Sequence, residues 1–124
     1  MKSLFMAALL AVGLSPLPGQ AGEADVEKVQ IARMDDGRYR IDVTVRHGDE
    51  GWTHYADRWE VVAPDGTVLG RRTLFHPHEN EQPFTRSLSR IIIPRSVKRV
   101  MLRAHDKIHG FGGREITVAV PQKR

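Results

Sequence analysis

Residues 38–46 alternate with a period of two: Tyr39, Ile41, Val43 and Val45 are apolar, while Arg38, Arg40, Asp42, Thr44 and Arg46 are polar or charged. Successive side chains of a strand point to opposite faces of a sheet, so this segment reads as a half-buried strand with one wet face. The hairpin signal Asp35-Asp36-Gly37 precedes it, and Val29 and Ile31 mark an earlier strand ending near Met34. Two more alternations follow downstream: Val100, Leu102 and Ala104, then Ile116, Val118 and Val120. Each apolar face must be covered by another layer of the same domain.

Between these segments, Trp59, Val61 and Ala63 mark the inward side of a third strand, and Pro64-Asp65-Gly66 turns the chain. Residues 67–75 return it; Arg71 and Arg72 interrupt both faces, as expected of an edge strand protected by charge. Residues 76–86 carry Pro77 and Pro83 and cannot form a central strand. Residues 87–93 are strand-like without a clear register. Gly110, Gly112 and Gly113 make the last connection permissive and mobile. Short strands, regular turn signals and no helical pattern after residue 21 predict an all-β domain. The expected fold is an immunoglobulin-like or fibronectin-III-like β-sandwich of about seven antiparallel strands. Trp59 in the third strand fits either style, and the lack of a disulfide favours the second. An eight-stranded barrel is the alternative.

Residues 1–21 read as a cleaved signal peptide. Lys2 supplies the positive start, Leu4 to Leu14 the apolar stretch, Ser15-Pro16 the break, and Gly19-Gln20-Ala21 the small residues of a cleavage site. The apolar run is too short to span a bilayer as a helix; an uncleaved anchor is the alternative. Residues 22–124 are then a single periplasmic or secreted domain, expected to be monomeric and without a membrane span. The chain has no cysteine. No lipid-bearing cysteine is therefore expected, and thiolate catalysis, zinc ribbons and blue-copper ligation are excluded. Its 19 Lys and Arg are largely offset by 15 Asp and Glu. Without a dense basic stripe and interleaved aromatics, nucleic acid is not an expected partner.

The segment His76-Pro77-His78-Glu79-Asn80-Glu81-Gln82-Pro83-Phe84-Thr85-Arg86-Ser87-Leu88 resembles a motif of small exported bacterial proteins. Those proteins also carry a stretch similar to Trp59 through Gly66 and a loop similar to His109 through Gly113. The resemblance would span nearly the whole mature chain. It implies a domain of uncharacterised function and brings no activity, cofactor or site residues.

The six histidines fall in alternate loops: His47 and His54, then His76 and His78, then His105 and His109. In a run of hairpins each successive turn changes ends, so the three histidine-bearing segments are expected at one end of the sandwich. Neutral imidazole is a common metal ligand, and imidazoles without thiolate suit zinc, copper(II) or nickel. His76 and His78, two apart around Pro77, lead the candidates, followed by His54, His109 and His105, with copper or zinc as the expected ion. Asp57, Glu79, Glu81 and Asp106 could complete a shell or orient a ring. His47 beside Gly48 is expected to be a solvated loop residue, His105 to face outward with Arg103, and His109 to be free to move towards a ligand. No diagnostic spacing such as His-Glu-x-x-His is present.

A second class of function uses the aromatics of the same loops. Trp52, Tyr55 and Phe111 are candidates for contacting a protein or glycan, while Phe75 and Phe84 are expected to cover the open end of the core. Outward arginines are expected to pair with acids such as Asp42 and Glu60. Catalysis is not expected: Ser87, His105 and Asp106 could be assembled only arithmetically, and no nucleophile elbow supports them. Clustered histidines could also loosen that end in acid without any metal.

Overall fold

The structure, a computed structural model, describes residues 22–123; the leader expected over 1–21 lies outside the described residues. The alternation of 39–46 forms β2 (Tyr39–Arg46), with Tyr39, Ile41, Val43 and Val45 buried. β1 (Asp25–Arg33) pairs on one side of it and β5 (Phe84–Ile91) on the other, both antiparallel. A second sheet holds β3 (Ala56–Val62), β4 (Val68–Thr73), β6 (Arg99–Asp106) and β7 (Ile116–Ala119) in the order β4-β3-β6-β7. The expected seven-stranded sandwich is therefore present, with three strands facing four. In immunoglobulin constant domains the fourth strand joins the first sheet. Here β4 pairs with β3 instead, in keeping with the fibronectin-III-like style. Among the described residues the only helical element is a 3₁₀ turn at Gly51–Thr53, and no helix is long and apolar enough to cross a membrane.

The inward rows of both sheets meet in one core around Trp59, Phe84, Ile41, Val43, Val61 and Leu102. Each large side chain buried there contributes about 1.5–3 kcal/mol, which lets the domain do without a disulfide. β5 has an obscure register because of a bulge: Ile41 faces Leu88 but Tyr39 faces Ile91. Arg90, at φ 62°, takes up the extra residue and returns Ile91 to the core. β4 is an edge strand, as its arginines imply. β3 is covered on both faces, because Glu60 on its outer side lies beneath the guanidinium groups of Arg58, Arg71 and Arg103.

Antiparallel connectivity puts the loops 47–55, 74–83 and 107–115 at one end of the sandwich. The chain start is there too, since Asp25 of β1 pairs with Arg46 at the end of β2. The glycine-rich loop is pinned to this chain start. A Cβ on Gly113 would lie 2.1 Å from the Ala24 carbonyl oxygen. Arg114 N–H donates to Asp25 Oδ1 at 2.7 Å, and Val26 N–H donates to the Arg114 carbonyl at 2.8 Å. Gly112 and Gly113 thus serve close packing, and these contacts tie the loop to the chain start.

Candidate metal centre

Two strands carry their inward rows beyond the hydrophobic core into polar residues. On β2 the row Tyr39, Ile41, Val43, Val45 continues to His47; on β6 the row Val100, Leu102, Ala104 continues to Asp106. Both therefore cap the core from the inside, and the next inward residue after His47 is Asp49. His47 is only 2% exposed, which corrects the expectation of a solvated loop residue: the strand period carries its ring inward past the last apolar residue.

Asp49 is the hub that ties the loops together. Its Oδ1 accepts from His47 Nδ1 at 2.5 Å and from Ala56 N–H at 3.1 Å, and its Oδ2 accepts from His78 N–H at 2.6 Å. Gln82 adds a second tie, accepting from His47 N–H at 2.9 Å and donating to the His78 carbonyl at 2.8 Å. Burial pushes the Asp49 carboxyl up, but these donors outweigh it and hold it below the usual carboxylate range.

His47 donates on both sides. Its Nδ1 meets Asp49, and its Nε2 lies 2.8 Å from the Gly22 carbonyl and 3.8 Å from Asp106 Oδ2. Both hydrogen-bond partners are acceptors only, so the ring satisfies them as an imidazolium. Burial opposes that charge, yet Asp49 and Asp106 hold the His47 pKa above its ordinary value. Asp106 is pushed up by burial and brought below the carboxylate range by the backbone N–H groups of His109 and Ile108, at 2.6 and 2.8 Å, and by the charges of His47 and His109.

His54 completes the cluster. Its Nδ1 lies 3.2 Å from Glu50 Oε1, and donation there leaves a lone pair on Nε2. That atom faces Asp106 Oδ1 at 3.3 Å, outside hydrogen-bonding geometry. His54 Nε2 and Asp106 Oδ2 are both buried without a hydrogen-bond partner. Buried acceptors left without a donor in one cluster are the groups a bound cation would satisfy. His47, His54 and Asp106 each bring one ligand atom within 4.8 Å of the others. His109 closes the mouth, its ring 5.0 Å from that of His54 and its Nδ1 3.2 Å from Asp106 Oδ1. The result is a nitrogen and oxygen donor set drawn from the 47–55 loop and the end of β6, with two buried carboxylates against one imidazolium.

The three histidine-bearing loops do meet, but the structure distributes the candidate residues among three surroundings. His54 and His109 belong to the cluster. His78 is buried, stacked on Phe84 at 4.0 Å, and its Nε2 accepts from Arg86 at 3.0 Å. Burial, with Arg86 and His76 adding to it, pushes the His78 pKa down. His76 is exposed, its ring centroid 4.6 Å from that of His78, and its Nδ1 faces the Pro77 carbonyl. His105 sits on the outer face of the second sheet, as expected, donating from Nδ1 to Asp57 at 2.6 Å beneath Phe111.

The aromatics divide as well. Trp52 is 64% exposed, but Tyr55 is buried against it, which corrects its expectation as a surface contact. Phe84 closes the core as expected, whereas Phe75, 74% exposed, does not. Phe111 lies under the guanidinium groups of Arg103 and Arg58, at 4.1 and 5.1 Å from its centroid. Ser87 donates to Asp42 on the opposite sheet from His105 and Asp106, so no triad is assembled.

No protein-family model matches the chain, and no solved structure matches it. A protein of Halomicrobium mukohataei named "Putative lipoprotein" is 40% identical to it over 96 residues. The aligned stretch covers 77% of this chain and 47% of that protein, so the chain spans about half the length of this relative.

Proposed function

We propose that this is an exported, non-enzymatic binding domain that holds a transition-metal ion, zinc or copper(II), at His47, His54 and Asp106. The observation that carries the reading is the pair of buried acceptors, His54 Nε2 and Asp106 Oδ2, left without partners beside a third ligand. Two imidazoles and a carboxylate suit either ion, and three protein ligands leave a position for water or a partner group. Asp49 would orient the His47 ring through its other nitrogen, the arrangement found around most metal-bound histidines. His109 stands where it could approach a fourth position. The leader-like residues 1–21 and the lipoprotein name of the relative support a location outside the cytoplasm, periplasmic or secreted.

The test is calorimetric titration of the chelator-treated domain with zinc and copper(II), alongside His54→Ala and a His76→Ala/His78→Ala double variant. One ion per chain, lost in His54→Ala and kept in the double variant, is the expected outcome. Loss only in the double variant, or no stoichiometric binding at all, would refute the assignment.

A second reading, a protein- or glycan-binding module, has one observation in its favour. Trp52, Phe75 and Ile108 are 64, 74 and 61% exposed, one on each loop around the cluster. Such a contact would survive His54→Ala and fail in Trp52→Ala/Phe75→Ala, and a partner bound by both variants would rule it out.

A further inference from the structure

The chain start reaches the cluster described above. The Gly22 carbonyl oxygen is 2.8 Å from His47 Nε2, the atom on which His47 would bind a metal. Bond lengths keep the nitrogen and oxygen of one residue within about 3.6 Å, so the Gly22 nitrogen lies no more than about 6.5 Å from His47 Nε2. Two ligands of one ion stand no more than about 4 Å apart, given metal–ligand distances of about 2 Å. Rotation about the Cα–C bond of this first residue swings its nitrogen relative to the carbonyl and can bring it within that distance. This placement is built by the fold. Ala24, two residues on, is fully buried, Asp25 is paired to Arg46, and Gly113 packs against the Ala24 backbone.

Resting on the metal reading, we infer that processing between Ala21 and Gly22 completes the site, with the new α-amino group of Gly22 as a further metal ligand. In the unprocessed chain the Gly22 nitrogen is an amide, whose lone pair is delocalised into the Ala21 carbonyl and does not bind a metal at neutral pH. Hydrolysis adds water across that bond: the hydroxyl goes to the Ala21 carboxyl and the hydrogen to the Gly22 nitrogen. The nitrogen becomes an amine with an ordinary pKa of about 7.7–8.0. On binding it gives up one proton to solvent. Amine and carbonyl of the same residue then close a five-membered chelate ring on the ion, beside His47 Nε2. The preceding small residues, Gly19-Gln20-Ala21, are those that place cleavage at this bond. The full donor set thus arises only after export, and the precursor holds an incomplete site.

The test expresses the full chain in an exporting host, natural and with two serines inserted between Ala21 and Gly22. Intact mass identifies both processed N-termini, and each product is titrated with zinc and with copper(II). The natural product is expected to bind at least about tenfold more tightly, the scale on which even a supporting contact of a metal site registers. Its copper(II) paramagnetic resonance spectrum is expected to show one more coupled nitrogen. Equal affinity in the two products, with His54→Ala abolishing both, would overturn the inference and leave the metal site standing. Absence of binding in both products would overturn the inference and the metal reading together. A natural N-terminus other than Gly22 would overturn the inference alone.

Discussion

Replacing Glu60 by Gln tests the outer face of the second sheet, where one nearly fully buried carboxylate holds three arginines. Its Oε1 accepts from Arg103 Nε and Nη2 at 3.2 and 2.8 Å, and its Oε2 accepts from Arg58 Nε at 3.2 Å and Arg71 Nε at 2.9 Å. Burial alone would push the Glu60 carboxyl up; the hydrogen bonds from Arg103, Arg71 and Arg58, with the Arg103 charge, reverse this and hold it below the usual range. Each guanidinium near 4 Å gains about 4 kcal/mol of gross attraction at an effective dielectric of about 20, most of it offset by desolvation. Breaking a buried pair costs about 3–5 kcal/mol. Here two of the arginines are about a quarter exposed and Arg71 more than half, so they recover part of that from water. Glu60→Gln is therefore expected to cost about 2–3 kcal/mol, lowering Tm by roughly 10–20 °C in a domain of this size.

The pH dependence follows from the depressed pKa. The contribution of Glu60 is present above its unfolded value near pH 4.3 and is lost as pH falls through the lower folded value. Urea denaturation at neutral pH and again below pH 3 should show a large difference between the two proteins in the first case and a small one in the second. The double replacement Glu60→Leu/Arg103→Met should cost less than the sum of its singles, because it removes both charges of the tightest pair. Equal stability of Glu60→Gln and the natural domain at pH 7 would refute the argument that the carboxylate anchors this face.

Gly113→Ala should destabilise by about 2–3 kcal/mol, because the new Cβ would meet backbone atoms of Ala24 and force β1 away from Arg114; faster hydrogen exchange at the Val26 amide would report it. Zinc affinity should rise with pH through the raised pKa of His47, since the ion must displace a proton there. Calorimetry in two buffers of different ionisation enthalpy would measure that proton release. The metal-free protein should lose the His47 contribution over the same range, because a raised pKa stabilises below the unfolded value and fades as pH passes the folded one. Asp49→Asn should weaken zinc binding about 10–100-fold while leaving the ligands in place. His76→Ala should change stability by less than about 0.5 kcal/mol in a thermal melt, since its ring is exposed and lies against Pro77 and His78.

The strand periods and turn signals were enough to predict seven strands, an edge at Arg71 and Arg72, and a common end for the histidine loops. These properties are local or follow from antiparallel connectivity, and both are written in residue order. The cluster was half legible. His54 and His109 stood out as loop histidines, but His47 and Asp106 were signalled more quietly, as the next inward positions after Val45 and Ala104. A period-two reading that stops at the last apolar residue passes over His47 and leaves Asp106 as one acid among four that could complete a shell.

What only the tertiary structure decided is which polar residues meet. The hub role of Asp49, the tie through Gln82, the pairing of His78 with Arg86 and the approach of Gly22 to His47 all join segments 29 to 35, 8 and 25 residues apart. Such contacts depend on how two sheets stack and where loops cross between them. Sequence alternation fixes the face on which a side chain lies, because that is set by the pleat of its own strand. It does not fix the partner across the core, because that is set by packing between sheets.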